Sequence, residues 1–485
     1  IVKMKRFIIV IWSITCLSCT DFLNLKPDNK QVVYTLEDVK VSMSTYLWAL
    51  CSPNQITVYF NNVMIGFPYS KRPCAEFCMY GDDIQMTKAV DNAYSRIYET
   101  NYNEDVNWEG ITFSENFWQK NYLNIGYLNT VLHDLSNASD KHENPEEYER
   151  ILGEARVFRA FYLFKLLQMY APYQEDRLGI PVNLDADVVE GSRRLSQTEV
   201  YKILIGELTD VLAYEATPAS WNAMYAPDII HALLAQIYWF KAGSAAAEES
   251  DWENAEKYSG MVVENYKPIA SVEDYEELFT GIATGSFEKN NTAALLKFGM
   301  YSNLYSFWGN ATSRYHQRPV TELLEMFDSN DIRFQAFFKN VGTTSDPVYC
   351  VNKIRYDDDL VVLFRTDDMY LINAEANCHL QQMEKAKQVF TRYMNSKSLV
   401  YSSDGNLIED IYRERRKEFC FEMDYRWLEM KRFGLAVNRE ALDPESDEVK
   451  IYSLEKDDYR YALPIPAESE MNYNDKMEQN PGWTF

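Results

Sequence analysis

One segment in the first half of the chain restricts the fold more than any other. Residues 145–170 begin with Pro145 and two glutamates and stop before Pro172, which is the arrangement expected at the two ends of an α-helix. Within it, the run from Val157 to Phe164 is apolar almost all round a helix of 3.6 residues per turn. Such a helix needs neighbours on every side. The sequence therefore predicts a fold in which this helix lies buried at the centre.

Most of the remaining chain also has helical spacing of its apolar residues. Helices are predicted over 116–135, 196–214, 226–242 and 251–265, and Ser196 with Glu199 forms the capping box of the second. Two helix–turn–helix pairs, 226–242 with 252–266 and 365–380 with 384–396, are typical of tetratricopeptide-like units. Glycine is scarce, 18 of 485 residues, against roughly 7% in average proteins, which also favours a mostly α-helical fold.

The charge balance narrows the possible partners. The chain has 48 Lys and Arg against 73 Asp and Glu, a net charge of −25, and no basic patch stands out along it. An acidic surface repels phosphate backbones, so nucleic acid is not expected as a partner.

The N-terminal residues indicate export. Lys3, Lys5 and Arg6 precede a short apolar run, and Ser18-Cys19 follows it, which is typical of a secretory signal peptide with a lipoprotein processing site. Cleavage before Cys19 would leave that cysteine lipidated, and acyl chains would then anchor the protein to a membrane. Simple secretion is the alternative.

Metal and catalytic motifs are weak in this sequence. Among the six cysteines beyond Cys19, Cys74 and Cys78 form the only close pair, which leaves open whether they form a disulfide. Asp185, Asp187 and Glu190 are a weak Ca²⁺ candidate. The five histidines form no zinc motif, and neither a Gly-x-Ser-x-Gly elbow nor a phosphate-binding loop occurs. We therefore expect no catalytic residues, no cofactor and no metal.

Two stretches interrupt the helical pattern and are rich in aromatic and amide side chains. They are residues 51–116 and 281–319, and long loops of this kind tend to carry function. Flat rings bordered by amides and carboxylates suit the apolar faces and hydroxyl edges of sugars. The candidate ligand-binding residues are Tyr98, Tyr102, Trp108, Tyr301, Tyr305, Trp308, Asp82 and Asn310.

Eight short motifs along the chain carry a resemblance to a known family. They are Cys19–Leu23 with Pro27, Gly153–Tyr162, Gly179–Pro181, Arg194–Tyr201, Ala374–Ala376, Glu414–Trp427, Leu463–Pro466 and Gln479–Trp483. In this order they resemble the SusD/RagB proteins, surface glycan-binding lipoproteins of the Bacteroides group. Met423 departs from the pattern, since the family usually has glycine there.

The resemblance implies both a fold and a function. It implies a mostly α SusD-like fold, with a tetratricopeptide-like scaffold and a second, loop-rich ligand-binding region. It also implies a lipid-anchored protein on the outer surface of the outer membrane that binds glycan and delivers it to a SusC-like TonB-dependent transporter, without catalysis. The alternatives are a peptide-capturing RagB-like member, a helical-repeat scaffold whose only ligand is protein and, less favoured, a glycoside hydrolase.

The predicted division has six parts. They are a signal peptide (1–18), an N-terminal segment with the first helix (19–50), a loop-rich ligand-binding region (51–116), a helical-repeat region (117–280), an irregular region (281–364) and a C-terminal helical region (365–485). In the last of these, Glu414, Arg415, Glu418 and Arg432 predict a buried charge network between helices rather than acid–base machinery. Glu422 and Arg426 have the spacing of an i,i+4 ion pair.

Overall fold

The fold is that of a mostly helical protein with a few short strands. The computed structural model describes residues 33–51, 58–68, 77, 80–86, 113–187, 191–220, 222–280, 287–288, 294–299, 317–340, 342–345, 347–353, 360–402, 405–442 and 449–484. The described α-helices are α1 Leu36–Cys51, α2 Phe113–Asn137, α3 Pro145–Tyr170, α4 Gln197–Val211, α5 Pro227–Lys241, α6 Asp251–Val263, α7 Val272–Thr280, α8 Thr321–Glu325, α9 Ile332–Phe337, α10 Thr366–His379, α11 Met383–Ser396, α12 Leu407–Phe419 and α13 Tyr425–Phe433.

Helix α3 lies at the centre, as the sequence predicts. Asn144 caps its first turn by accepting a hydrogen bond from the backbone N–H of Glu147 at 3.2 Å. Every side chain from Val157 to Tyr170 is buried, so the helix is surrounded along its second half. It ends where Ala171 becomes extended ahead of a proline.

The other helices pack in chain order around this centre. Helix α2 contacts α3, α3 contacts α4, α4 contacts α5, and α5 packs on α6. Helix α6 then packs against α10, which contacts both α11 and α12. Both predicted helix pairs, now α5–α6 and α10–α11, are therefore confirmed. The capping box is confirmed too, since Ser196 and Glu199 exchange side-chain-to-backbone hydrogen bonds.

Short antiparallel strands connect the irregular parts of the chain. They are β1 Tyr59–Phe60, β2 Val63–Met64, β3 Ile84–Met86, β4 Phe287–Glu288, β5 Ala294–Gly299, β6 Gln317–Pro319, β7 Phe338–Asn340, β8 Tyr349–Val351, β9 Leu360–Arg365, β10 Val437–Leu442 and β11 Val449–Leu454. The described sheets are β1–β2, β3–β6, β4–β5–β9, β7–β8 and β10–β11. Three of these sheets pair strands that are adjacent in the chain, whereas β3 pairs with the distant β6.

The connection between α12 and α13 overturns one prediction. Phe421 has φ 63° and Met423 has φ 42°, so the helix stops after Phe419 and restarts at Tyr425. Glu422 and Arg426 are therefore not one helical turn apart, and the predicted i,i+4 pair is wrong. Glycine adopts the left-handed backbone found at Met423 without steric cost, which fits the glycine that the SusD/RagB resemblance implies at this position.

Helix length and hydropathy bear on membrane contact. Among the helices that the structure describes, none is both long enough and apolar enough to cross a bilayer.

Candidate functional site

The two regions predicted to bind ligand start from one pair of strands. Strands β3 and β6 run antiparallel, with Ile84 opposite Pro319 and Met86 opposite Gln317. In an antiparallel pair, the chain that leaves one strand and the chain that enters the other do so at the same end. The segment that follows Met86 and the segment that precedes Gln317 therefore begin at the same end of this strand pair. These are the segments in which the sequence predicts the ligand-binding aromatics.

A cluster of four charged side chains fixes this pair of strands to the helical scaffold. Asp82 accepts hydrogen bonds from Nε and Nη2 of Arg426 at 2.5 and 2.7 Å, and Asp83 accepts one from Arg416 at 2.8 Å. The backbone N–H of Val320, just after β6, donates to the carbonyl of Asp83 at 2.9 Å. We call Asp82, Asp83, Arg416 and Arg426 the Asp82 anchor.

The two carboxyls of the anchor differ in electrostatics. Burial alone would raise the pKa of Asp82, but the guanidinium groups of Arg426 and Arg416 outweigh it and hold that pKa well below the ordinary range. Burial raises the pKa of Asp83, a shift to which neighbouring Asp82 adds and which the two arginines only partly offset. The Asp82 side chain keeps 20% of its surface exposed. Both of its oxygens bond to Arg426, and its role as a ligand-binding residue stays a prediction.

The other predicted ligand-binding residues are Tyr98, Tyr102, Trp108, Tyr301, Tyr305, Trp308 and Asn310. All seven lie outside the described residues, as do Cys19, Cys74 and Cys78. Their roles stay predictions.

Sequence reasoning missed the two arginines of the anchor. The spacing predicts a pair between Arg426 and Glu422, but Arg426 contacts Asp82, which lies 344 positions away. No local spacing reports a contact of that separation. The available signal was an Asp-Asp pair in one region and an arginine-rich motif in another, without a means to connect them.

The charge network predicted for α12 and α13 is confirmed. Glu414, Arg415, Glu418 and Arg432 are all buried. The ion pairs are Glu414 with Arg333 and Lys417, Glu418 with Arg333, Arg365 and Lys397, Arg415 with Asp368 and Glu429, Arg432 with Glu375, and Glu422 with Lys353 and Arg365. Each partner outside the motif lies on another element or loop, so the network joins α12 and α13 to the rest of the scaffold.

The described residues offer neither a grouped set of metal ligands nor a cysteine with a lowered pKa. Within the described ranges, no three His, Cys, Asp or Glu residues are grouped so that they could hold a metal ion. Asp185 accepts a hydrogen bond from the backbone of Asp187 at 2.9 Å, and Glu190 is not described. Burial raises the pKa of the Cys378 thiol to about 11 and that of Cys420 to about 12, so both thiols stay protonated near neutral pH.

Comparison with known families agrees with the fold and the motifs. The SusD-like family model described as "Starch-binding associating with outer membrane" matches residues 21–239, and the SusD family model matches residues 349–483. Together the two matches cover most of the chain, one in its N-terminal half and the other in its C-terminal part. The chain belongs to the SusD/RagB family.

Solved structures show the same fold at low sequence identity. A putative sugar binding protein from Bacteroides vulgatus has a TM-score of 0.67 at 19% identity, over 94% of this chain and 100% of that one. A SusD superfamily protein from Bacteroides thetaiotaomicron has a TM-score of 0.66 at 19% identity, over 92% and 100%. A SusD-like carbohydrate binding protein from Bacteroides vulgatus has a TM-score of 0.63 at 17% identity, over 92% and 97%. No curated protein matches the sequence.

Proposed function

We propose that this chain is a surface-exposed outer-membrane lipoprotein that binds extracellular oligosaccharide or polysaccharide and delivers it to a SusC-like TonB-dependent transporter. Lipidated Cys19 would tether it to the outer leaflet, and the aromatic side chains of the two loop regions would contact the glycan. The reaction is equilibrium capture, without bond cleavage. The six-part division of the chain is part of this proposal.

The observation that carries the proposal is the pairing of β3 with β6. Both aromatic segments begin at the same end of this strand pair, and the Asp82 anchor holds the pair on the scaffold. A glycan chain exposes alternating apolar ring faces and hydroxyl edges, so it is bound by several rings that converge from different parts of a chain. A rigid base for both segments would reduce the ordering cost of binding.

Family and neighbours support a carbohydrate ligand. One matching family model is described as starch-binding and associating with the outer membrane, and two structural neighbours are described as sugar or carbohydrate binding proteins. The acids of the charge network are paired with buried cations, which supports a structural role for them rather than acid–base catalysis.

Calorimetric titration tests ligand capture. Residues 20–485 are titrated with a panel of oligosaccharides and polysaccharides and with a peptide digest. We expect binding to one glycan class, weakened about tenfold or more in Trp108→Ala and in Trp308→Ala, because each removes a stacking surface. Trp48→Ala is the matched control, since Trp48 lies on α1 and is 49% exposed.

The outcomes separate the alternatives. Binding to peptide alone would assign the chain to the peptide-capturing branch. Release of sugar products, lost on replacing one loop carboxylate, would indicate a glycoside hydrolase. Unchanged affinity in both loop variants would contradict the proposed site.

Anchoring and delivery need separate measurements. Cys19→Ser should move the protein from the membrane fraction to the soluble fraction, and mass spectrometry of the wild-type N-terminus should find acyl chains on Cys19. Delivery would be tested by co-purification with a SusC-like transporter and by loss of glycan uptake when either protein is deleted.

A further inference from the structure

A cavity outside the predicted ligand loops has the lining of a carbohydrate site. It has a volume of about 230 Å³ and lies between the segment after α3 and the C-terminal segment. Its lining includes Tyr173, Gln174, Lys431, Asp457, Tyr459 and Tyr461. Pockets for drug-sized ligands span roughly 300–1,000 Å³, so this one has room for a single sugar ring.

Tyr459 provides an exposed and well-supported aromatic surface. Its side chain is 45% exposed, and Trp483 packs edge-on against it with ring centroids 5.4 Å apart. Gly482 adopts φ +87°, and a Cβ there would lie 2.4 Å from the Tyr459 ring. Glycine at 482 therefore allows the chain to support the ring closely. A ring held in this way loses little freedom when a ligand stacks on it.

The other two tyrosines are fixed at the cavity wall. The hydroxyl of Tyr461 donates to the carbonyl of Leu435 at 2.7 Å, and that of Tyr173 donates to the carbonyl of Phe240 at 2.7 Å. Because both hydroxyls are used within the protein, the two side chains contribute mainly ring surface to the cavity.

Polar groups for sugar hydroxyls border these rings. Asp457 and Gln174 are both exposed at the cavity. The loop that holds Asp457 is ordered by Asp458, which accepts hydrogen bonds from the backbone N–H groups of Glu455 and Arg460. Rings with a carboxylate and an amide at the edge match the two kinds of surface on a sugar.

The charges at the cavity restrict the class of sugar. Of the lining carboxylates, Asp458 is paired with Arg460 at 2.7 Å and Glu175 with Arg177 at 3.3 Å, so Asp457 is the one that sets the charge facing a ligand. The lining cation Lys431 is buried and donates to the carbonyls of Gln168 and Met169. An anionic ligand would meet the Asp457 carboxylate without an exposed cation from the lining, so a neutral sugar is favoured.

Tilted aromatic rings connect the cavity wall to the Asp82 anchor through the protein interior. Tyr461 contacts Trp427, with centroids 5.1 Å apart, and Trp427 contacts Tyr80 at 5.5 Å. Tyr80 lies two residues before Asp82 in the chain. Two buried rings, Trp427 and Tyr80, therefore separate the cavity wall from the anchor at the base of the proposed ligand loops.

We propose that this cavity is a second carbohydrate-contact site, which binds one neutral sugar ring stacked on Tyr459. It rests on the proposed function, since it would hold a further part of the same glycan. Its side chains belong to the described scaffold, not to the two loop regions.

Hydrogen exchange with mass spectrometry on the full chain tests the site. The probes are the methyl glycosides of glucose, galactose, mannose and xylose, with methyl glucuronide as the anionic comparison. At least one neutral glycoside should slow exchange over residues 457–462, and the glucuronide should not. No protection there with any neutral glycoside would overturn the proposal, and so would equal protection with the glucuronide.

Variants assign any protection to the ring. Tyr459→Ala should weaken the protecting glycoside about tenfold, Tyr459→Phe should bind nearly as well as wild type, and Tyr473→Ala is the control at a tyrosine that is 84% exposed. Unchanged binding in Tyr459→Ala, with its fold verified by circular dichroism, would contradict the site.

The same measurement separates the two proposals. Protection over 457–462 should persist in the Trp108→Ala, Trp308→Ala double variant, even though capture of long glycans is lost. Protection without any loop-dependent capture would reject the proposed function and keep the cavity. Loop-dependent capture without this protection would keep the proposed function and reject the cavity site.

Discussion

Two glutamates that are both completely buried have pKa values shifted in opposite directions. Glu154 on α3 has one close cation, Arg150, at 2.9 Å, and burial raises its pKa to about 7. Glu418 on α12 is equally buried, but Lys397, Arg365 and Arg333 outweigh burial and hold its pKa well below the ordinary value. At pH 7 the same side chain at the same exposure is therefore about half protonated in one place and firmly ionised in the other.

The difference reflects two ways of building an interior. Around α3 the interior is mainly apolar, and Glu154 lies at the edge of that packing. Around α12, Glu418 accepts hydrogen bonds from Tyr275 and Tyr393 at 2.8 and 2.7 Å and pairs with cations from α9, β9 and the end of α11. One carboxylate thus connects four parts of the chain, which accounts for the motif in structural terms.

Removing the charge of Glu418 should have the largest effect. Glu418→Gln keeps the shape but leaves Arg365, Arg333 and Lys397 short of one negative charge, so the free energy of unfolding should fall by about 3–5 kcal/mol. Urea denaturation followed by circular dichroism measures it. Glu409→Gln, an exposed position on the same helix, is the control and should change stability little. If Glu418→Gln lowered the free energy of unfolding as little as Glu409→Gln, the Glu418 carboxylate would not hold these elements together.

The same substitution at Glu154 should act in the opposite direction above neutral pH. A carboxyl whose pKa is raised in the folded protein keeps its proton there at pH values where the unfolded chain has lost it. Stability should therefore fall as pH rises from about 4.5 to about 7, by about 3 kcal/mol from this group. Glu154→Gln removes that loss, and Arg150 keeps Glu147 as a partner. We expect the variant to match or exceed wild type at pH 8.

Unfolding free energy measured against pH distinguishes the two glutamates. Glu418 contributes stability above its ordinary pKa of 4.5, and that contribution is lost as pH falls toward its lower value in the folded protein. Glu418→Gln should therefore flatten the acid side of the profile, and Glu154→Gln the side between 4.5 and 7. Identical profiles for both variants would contradict the comparison.

The features that could be predicted from sequence are those that depend on residues close together in the chain. Both ends of α3 follow from Pro145 and from the proline after the helix, and the capping box at Ser196 depends on residues three positions apart. These signals are local, so the sequence alone reports them. The partners of Glu418 and Arg426 lie on distant elements, and the break at Met423 has no glycine to announce it. For the candidate site, sequence identified the two regions but not the β3–β6 pairing that joins their bases.

A smaller effect on stability is expected at the Asp82 anchor, with a larger one on ligand binding. Asp82→Asn loses one charge-assisted pair at a partly exposed position, so unfolding should be easier by about 2 kcal/mol. Because the pair holds β3 on the scaffold, glycan affinity should fall in the same variant. Calorimetric titration and urea denaturation on one preparation measure both, with exposed Asp185→Asn as control. Wild-type affinity in a destabilised Asp82→Asn would show that the anchor serves the fold alone.

The smallest effect completes the series, from buried to partly exposed to exposed carboxylates. Glu478 and Arg177 form a two-pronged pair at 2.6 and 2.8 Å, but their side chains are 55% and 61% exposed. Water and salt screen such a pair, and ordering two long side chains offsets part of its attraction, so Arg177→Gln should lower the free energy of unfolding less than Glu418→Gln or Asp82→Asn does. That cost should shrink further in high salt, whereas the loss in Glu418→Gln should persist, because screening ions do not reach a buried carboxylate. Urea denaturation of both variants at low and high salt measures the difference. A salt-insensitive loss at Arg177 as large as the one at Glu418 would mean that burial does not set the strength of these pairs.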